Sequence, residues 1–372
     1  MTPFLKALAI LIATIIGVGI FGLPFVASRA GFILFAIYML VILGIAIISH
    51  LMYAKVCLNT PGKKRFPGYV KQYIGPRAAK FSMVSMCIGM YGAQLAYLIV
   101  GGQFFYNLLS PYFGGNILLY TFIYFILASA LIYTGIKGIS VVEFFVVILF
   151  AIIIIAFAVR LLPLVEVNNL SLINTKAVFL PYGIVLFALW GSSIIPEMKE
   201  LLEKKKKSLN KAIVIGLIWA AALYLIFSGA VVGFCGNDTG SEAFSCLNTK
   251  LGGGIAQIGY LLGAITCFSS FILLGLTVKK SFHYDYKWPK HIAWAIASIV
   301  PFLLYFAGLK NYINIIGMTG AVTIGIEGVL SFFLFKKLQE KLSQKVMFWH
   351  YIPLIVLIAG LFLEISNFFF RK

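Results

Sequence analysis

Charge is what this 372-residue sequence has least of: 11% of its residues are charged and only 11 are acidic, where a soluble domain carries about 25% charged residues. With 62% hydrophobic residues and a mean hydropathy of +1.02, no water-soluble fold could hide the apolar surface. Catalytic signatures are missing too. Neither HExxH nor GxSxG occurs, which leaves intramembrane hydrolysis without its usual residues, and without GxxxxGK[ST] pumping by ATP hydrolysis within this chain is not expected. No catalytic residue is therefore nominated and no enzyme is expected. Five cysteines make no framework. Cys57, Cys87 and Cys267 fall in or at the ends of apolar runs as small buried hydrophobes, while Cys235 and Cys246 bracket the gap CGNDTGSEAFSC and could pair if that side is oxidising.

What is present is a succession of apolar stretches of about 20 residues, each long enough to cross the roughly 30 Å hydrocarbon core. The first is too long for a cleavable signal and no small-residue cleavage site follows it. Hydropathy predicts about eleven transmembrane helices, at 4–27, 31–56, 77–109, 116–134, 138–160, 177–197, 210–234, 253–280, 289–308, 311–335 and 347–369. The expected class is an all-α polytopic membrane protein with one domain over 1–372 and the lipid bilayer as its solvent. Of the 30 Lys and Arg, 23 fall in the gaps on one side, which the positive-inside rule makes cytoplasmic. The N-terminus is then inside and the C-terminus outside, in a plasma or inner membrane. The net charge of +19 reads as topology, since the basic residues are juxtamembrane rather than gathered on a folded domain, so no nucleic-acid partner is expected. No obligate protein partner is implied either.

Two spans carry residues that a helix interior disfavours. Span 1 contains GVGIFGLP at 17–24 and span 6 contains LWGSSIIPEM at 189–198; in both, a Gly precedes a Pro by five positions, Gly19 to Pro24 and Gly191 to Pro196. Span 1 runs outward and span 6 inward, so the two breaks belong to an inverted repeat of five helices (4–160) and five helices (177–335), with 347–369 as an addition. Paired interrupted spans at matching positions of two halves point to a binding site at the membrane midplane. Unwound backbone at that depth is tolerated only where protein, water or a ligand satisfies it. Free N–H groups suit an anion and freed carbonyls a cation, and an amino acid offers both a carboxylate and an ammonium.

At IGVGIFGLPFVASRAGF (16–32), GAQLAYLIVGGQFF (92–105), FALWGSSIIPEM (187–198) and TCFSSFILLGL (266–276) the sequence is similar to the amino acid–polyamine–organocation superfamily, most of all to its amino acid/auxin permease branch. The resemblance covers nearly the whole chain. It implies the LeuT-type fold, alternating access and a substrate held between spans 1, 3, 6 and 8. By that resemblance the N–H groups of Gly17, Val18, Gly19 and Ile20 would bind the carboxylate, and Leu189, Trp190, Gly191 and Ser192 would face the ammonium and side chain. Trp190 or Phe187 would gate the pocket and Tyr97 would line it. None of these side chains is charged, which favours a neutral amino acid. The expected function is a secondary active amino acid transporter working as a cation-coupled symporter; the alternatives are a sensor on the same fold and a channel.

Two coupling ions stay open, and no other cofactor is implied. Thr266, Ser269 and Ser270 lie at i, i+3 and i+4 on one helical face; with carbonyls freed at Ala13 and Ile16 they offer oxygen ligands for sodium, and no other metal is expected. For a proton, intramembrane carboxyls are the candidates: Glu327 lies about two turns inside span 10 and Glu143 about one and a half turns inside span 5. Burial lets a carboxyl keep its proton toward neutral pH. Glu197, at the inner end of span 6, reads as a lock on the cytoplasmic side, and His50 in span 2 as structural.

Overall fold

The computed structural model describes residues 2–135, 139–170, 173–202, 206–285 and 287–370. Among these there is no strand. The helices are α1 (Pro3–Ile15), α2 (Gly19–Ala30), α3 (Phe32–Leu58), α4 (Phe66–Tyr73), α5 (Pro76–Phe113), α6 (Ile117–Thr134), α7 (Ile139–Leu161), α8 (Leu180–Leu189), α9 (Ile195–Leu201), α10 (Lys206–Cys235), α11 (Phe244–Leu251), α12 (Gly253–Lys280), α13 (Lys290–Phe306), α14 (Tyr312–Met318), α15 (Gly325–Lys341) and α16 (Tyr351–Phe370). Eight helical segments among the described residues are long and apolar enough to cross a membrane, nine if the bent pair α1 and α2 counts as one span; α13 and the described part of α7 are shorter apolar helices.

Local chemistry sets many of the ends. Thr2 accepts a hydrogen bond from the Leu5 N–H at 3.4 Å and Pro3 opens α1, where its missing N–H costs nothing. Gly31, at φ 94°, turns the chain between α2 and α3, a backbone conformation that glycine reaches without a Cβ penalty. Large apolar side chains point outward from several helices, among them Leu40 on α3, Val84 and Ile88 on α5 and Phe362 on α16. A soluble protein would carry that much exposed apolar surface only as a liability; in lipid it is the solvated face.

Two short helices, α4 and α11, escape the hydropathy reading because they lie in the polar gaps. The Cys235–Cys246 disulfide forms, with Cα atoms 6.2 Å apart, and the loop it closes contains the start of α11. Phe244 of that helix faces Phe21 of α2 with ring centroids 5.8 Å apart, alongside Phe104 of α5 at 5.0 Å and Phe150 of α7 at 5.7 Å. This aromatic cage buries the middle of GVGIFGLP and fixes where α2 begins.

The interior contacts that position the breaks are tight helix crossings. The longest helix, α5, packs along α12; α10 lies against α1, α2 and α3. Between α14 and α15 the span is wound as a π-turn over Thr319–Ile324, and α8 crosses it so closely that a Cβ on Gly183 would strike the Gly317 carbonyl and one on Gly320 the Gly183 carbonyl. Irregular turns of this kind often mark functional positions.

Candidate functional site

Both interrupted spans are broken where the sequence places the interruption. The first loses helical geometry over Ile16–Val18, with a 53° bend between α1 and α2. In the second, α8 stops at Leu189, Trp190 is extended, and a single 3₁₀ turn over Ser192–Ile194 leads into α9. The breaks lie against each other. A Cβ on Gly19 would sit 3.0 Å from the Ala188 Cα, and one on Gly191 would sit 2.8 Å from Cγ1 of Ile15. The glycines therefore serve close approach of the two spans as well as unwinding.

The backbone groups freed by the first break divide in a way the sequence does not announce. Four free N–H groups are expected there, but the Gly17 N–H curls back to the Ile15 carbonyl at 2.9 Å and the Ile20 N–H reaches the Gly17 carbonyl at 3.4 Å. Tight turns satisfy those two, which corrects the expectation for Gly17 and Ile20. The N–H groups of Val18 and Gly19 have no partner among the described residues. The carbonyls are claimed by tyrosines from other spans. Tyr224 of α10 donates from its one hydroxyl toward both the Ile15 carbonyl, at 2.8 Å, and the Ala188 carbonyl, at 3.1 Å, so it bridges the breaks. Tyr312 of α14 donates to the Val18 carbonyl at 3.0 Å. Tyr97 of α5 lays its hydroxyl over Gly17, in space that any side chain there would need.

The second break is closed by α3 and α15. The Gly191 N–H donates to Nε2 of His50 at 3.0 Å, while Nδ1 of the same ring sits 2.7 Å from the Ala46 carbonyl. Only an Nδ1-protonated, neutral imidazole satisfies both contacts. His50, read from sequence as structural, is thus the cap of the second break. Ser192 donates from its hydroxyl to the Glu327 carboxylate. Trp190 stands edge-on to His50 with centroids 4.9 Å apart, and its Cη2 is 3.0 Å from where a Gly328 Cβ would be. It therefore packs between α3 and α15 rather than over the first break. Phe187, half-buried, is the aromatic nearest to Gly19, its ring 3.4 Å from the position of a Cβ there.

A cavity of about 810 Å³ leads toward the breaks from the end that carries the disulfide. Phe25, Arg29, Val100, Gln103, Glu242, Lys310 and Tyr312 line it. Tyr312 on its wall is the residue that holds the Val18 carbonyl, so one side chain joins the cavity wall to the first break. Its volume lies within the range of small-molecule pockets. At the opposite, lysine-rich end Arg65 pairs with Glu197, Lys63 with Glu200 at 3.1 Å, and buried Lys199 donates to the Thr60 carbonyl at 2.9 Å.

The sodium candidates on α12 are buried. Thr266, Ser269 and Ser270 lie inside α12, where the Ser269 hydroxyl bonds back to the Thr266 carbonyl at 3.1 Å. At Ala13 and Ile16 the turn does divert the N–H groups that a regular helix would supply. The side chain of Glu143 lies outside the described residues.

The family model for tryptophan/tyrosine permeases matches residues 1–367. The chain belongs to the tryptophan/tyrosine permease family. The permease also superposes on solved structures of the LeuT-type fold. One is MhsT in complex with L-phenylalanine, at 15% identity and a TM-score of 0.71 over 98% of each chain. Another is Mhp1, a nucleobase-cation-symport-1 family transporter, in a closed conformation with bromovinylhydantoin bound, at 15% identity, a TM-score of 0.66 and coverage of 99% of this chain and 92% of that one. The inward-facing conformation of Mhp1 gives 0.68 at 15% identity, over 98% and 90%. Among curated proteins no relative matches. All-helical architecture, two broken spans and the LeuT-type fold are thus common ground between the sequence reading and the permease.

Proposed function

We propose that the permease is a secondary active transporter of neutral, aromatic amino acids that works by alternating access and is driven by a cation gradient. The observation that carries this reading is the first break, where the N–H groups of Val18 and Gly19 have no partner among the described residues and Tyr312 joins the break to the cavity wall. Two adjacent backbone donors at the start of α2 suit a carboxylate. The family description and the phenylalanine bound by MhsT, a protein of the same fold, favour tryptophan, tyrosine or phenylalanine as the substrate. Phe25 and Tyr312 on the cavity wall and half-buried Phe187 beside Gly19 supply aromatic surface for such a side chain. The span 1 motif favours the amino acid–polyamine–organocation superfamily, and the four motifs in combination its amino acid/auxin permease branch.

The lysine-rich end is cytoplasmic in this reading, so the cavity faces outward and the ties at Arg65–Glu197 and Lys63–Glu200 form the closed inner gate. A thermal-shift screen of the twenty amino acids, followed by counterflow in proteoliposomes, tests the function. An aromatic amino acid at 100 times its Kd should stabilise the protein by about 2.7 kcal/mol, and preloaded vesicles should exchange it for label. Stabilisation without exchange would make the permease a sensor; stabilisation only by charged or small amino acids would overturn the substrate class.

A further inference from the structure

Glu327 is the acidic side chain that the structure ties to a broken span at depth. It lies on the first turn of α15, half-buried, and accepts from Ser192 in the second break. Trp190 lies near the same carboxyl, and its buried Nε1–H has no hydrogen-bond partner among the described residues. No cation pairs with Glu327 among the described ion pairs. The titratable groups on the packed elements include His50, Tyr53 and Cys57 on α3, Tyr69 on α4, Cys87 and Tyr91 on α5, and Tyr351 and Glu364 on α16. Of these, His50 is held neutral by its two bonds. The basic residues on those elements are remote from it: Lys55 reaches Gln339 and Gln344, three turns or more along the chain, while Lys71, Arg77 and Lys80 are exposed. On α15 itself Lys336, Lys337, Glu340 and Lys341 lie at the far end.

A carboxyl without a counter-ion inside a membrane protein is costly when charged and is retained for a task. We propose that Glu327 is the coupling group of this transporter, binding a proton from outside and releasing it inside, and that Ser192 conveys its state to the break between α8 and α9. The inference rests on the transport reading above. As carboxylate, Glu327 accepts from Ser192; once the proton is bound, one oxygen becomes a donor and that pattern must change. Ser192 is three residues before α9, the half-helix held at its inner end by Arg65 and Thr60. A change at Glu327 therefore reaches the inner gate through a few residues of broken span.

The test compares two rates in the same vesicles. Label uptake is measured by counterflow at equal pH and by a one-unit inward proton gradient without sodium, for wild type, Glu327→Gln and Glu327→Asp. One pH unit is worth about 1.36 kcal/mol per proton, or tenfold. Wild type should accumulate an aromatic amino acid about tenfold above equilibrium, and Glu327→Gln should exchange label yet stay at the equilibrium level. Accumulation by Glu327→Gln equal to wild type, or wild-type accumulation that needs sodium and ignores pH, overturns the proposal. Loss of counterflow in wild type would instead overturn the transport reading. If Glu327→Gln does not fold, Glu327→Asp decides: a moved pH midpoint of uptake supports the proposal and an unmoved one refutes it.

Discussion

Removing one oxygen atom from Tyr224 should separate the two broken spans energetically without disturbing the packing around them. The ring of Tyr224 is fully buried, and its hydroxyl lies 2.8 Å from the Ile15 carbonyl and 3.1 Å from the Ala188 carbonyl. In Tyr224→Phe the Ile15 carbonyl keeps the Gly17 N–H, 2.9 Å away. The Ala188 carbonyl, one residue before the end of α8, loses its tyrosine. Leaving a buried acceptor unsatisfied costs about 1–3 kcal/mol. If 1–2 kcal/mol of that falls on the state that holds substrate, affinity drops by roughly 5–30-fold, at 1.4 kcal/mol per factor of ten. The assay is equilibrium binding of a labelled aromatic amino acid to detergent-solubilised protein, with a melting curve on the same sample. Tyr120→Phe is the control. Its hydroxyl bonds the Gly114 carbonyl at 2.6 Å, at the end of α5 and away from both breaks, so that variant should lose stability without losing affinity. A Tyr224→Phe protein with wild-type Kd and melting temperature, or equal losses of affinity in the two variants, would refute the bridging role.

Gly183→Ala and Gly320→Ala should each abolish the monodisperse peak in size-exclusion chromatography, because each new Cβ meets a backbone carbonyl that cannot swing aside; Gly317→Ala, whose Cβ would be 3.6 Å from Ile184, should be tolerated. His50→Ala leaves the Gly191 N–H unbonded and should cost about 1–3 kcal/mol in a detergent melt. A melt matching wild type would remove the cap from the argument. Reduction of the Cys235–Cys246 bond, which spans 11 residues, should destabilise by about 3 kcal/mol on loop entropy, and through Phe244 should loosen Phe21 as well. A melting temperature unchanged by reductant would contradict that link. Charge reversal at the inner gate, Arg65→Glu, should speed substrate release to the lysine-rich side, and the double variant with Glu197→Arg should restore it; identical release rates in all three would dismiss the gate.

Span positions were readable because a membrane imposes a one-dimensional rule: about 20 apolar residues make a crossing. The helix from Phe32 to Leu58 and that from Ile117 to Thr134 begin and end within two residues of the hydropathy estimate. GVGIFGLP and LWGSSIIPEM announced breaks for the same local reason, since Gly and Pro weaken helix wherever they stand. The short helices α4 and α11 were invisible, each being only eight residues long and amphipathic rather than apolar.

What glycine would do at the breaks was only half legible. Gly19 and Gly191 unwind the chain, as their residue type suggests, yet they also let the two spans touch, so a larger side chain at either position would disturb packing between the spans. Trp190 shows the same limit. Its place in the second break was expected, but its orientation toward α3 and α15 depends on how those helices cross.

By itself the sequence determined the class of the protein, the helices and the two points where they break, because hydropathy and backbone propensity are properties of neighbours along the chain. Tertiary structure decided which backbone groups the breaks leave unbonded. Tyr97, Tyr224 and Tyr312 converge on a three-residue turn from three different helices, and nothing marks them among 19 tyrosines. His50 meets Gly191 across 141 positions and Ser192 meets Glu327 across 135. Such contacts follow from the angles at which helices pack, and in a chain where most side chains are interchangeable hydrophobes, those angles are set by the whole bundle.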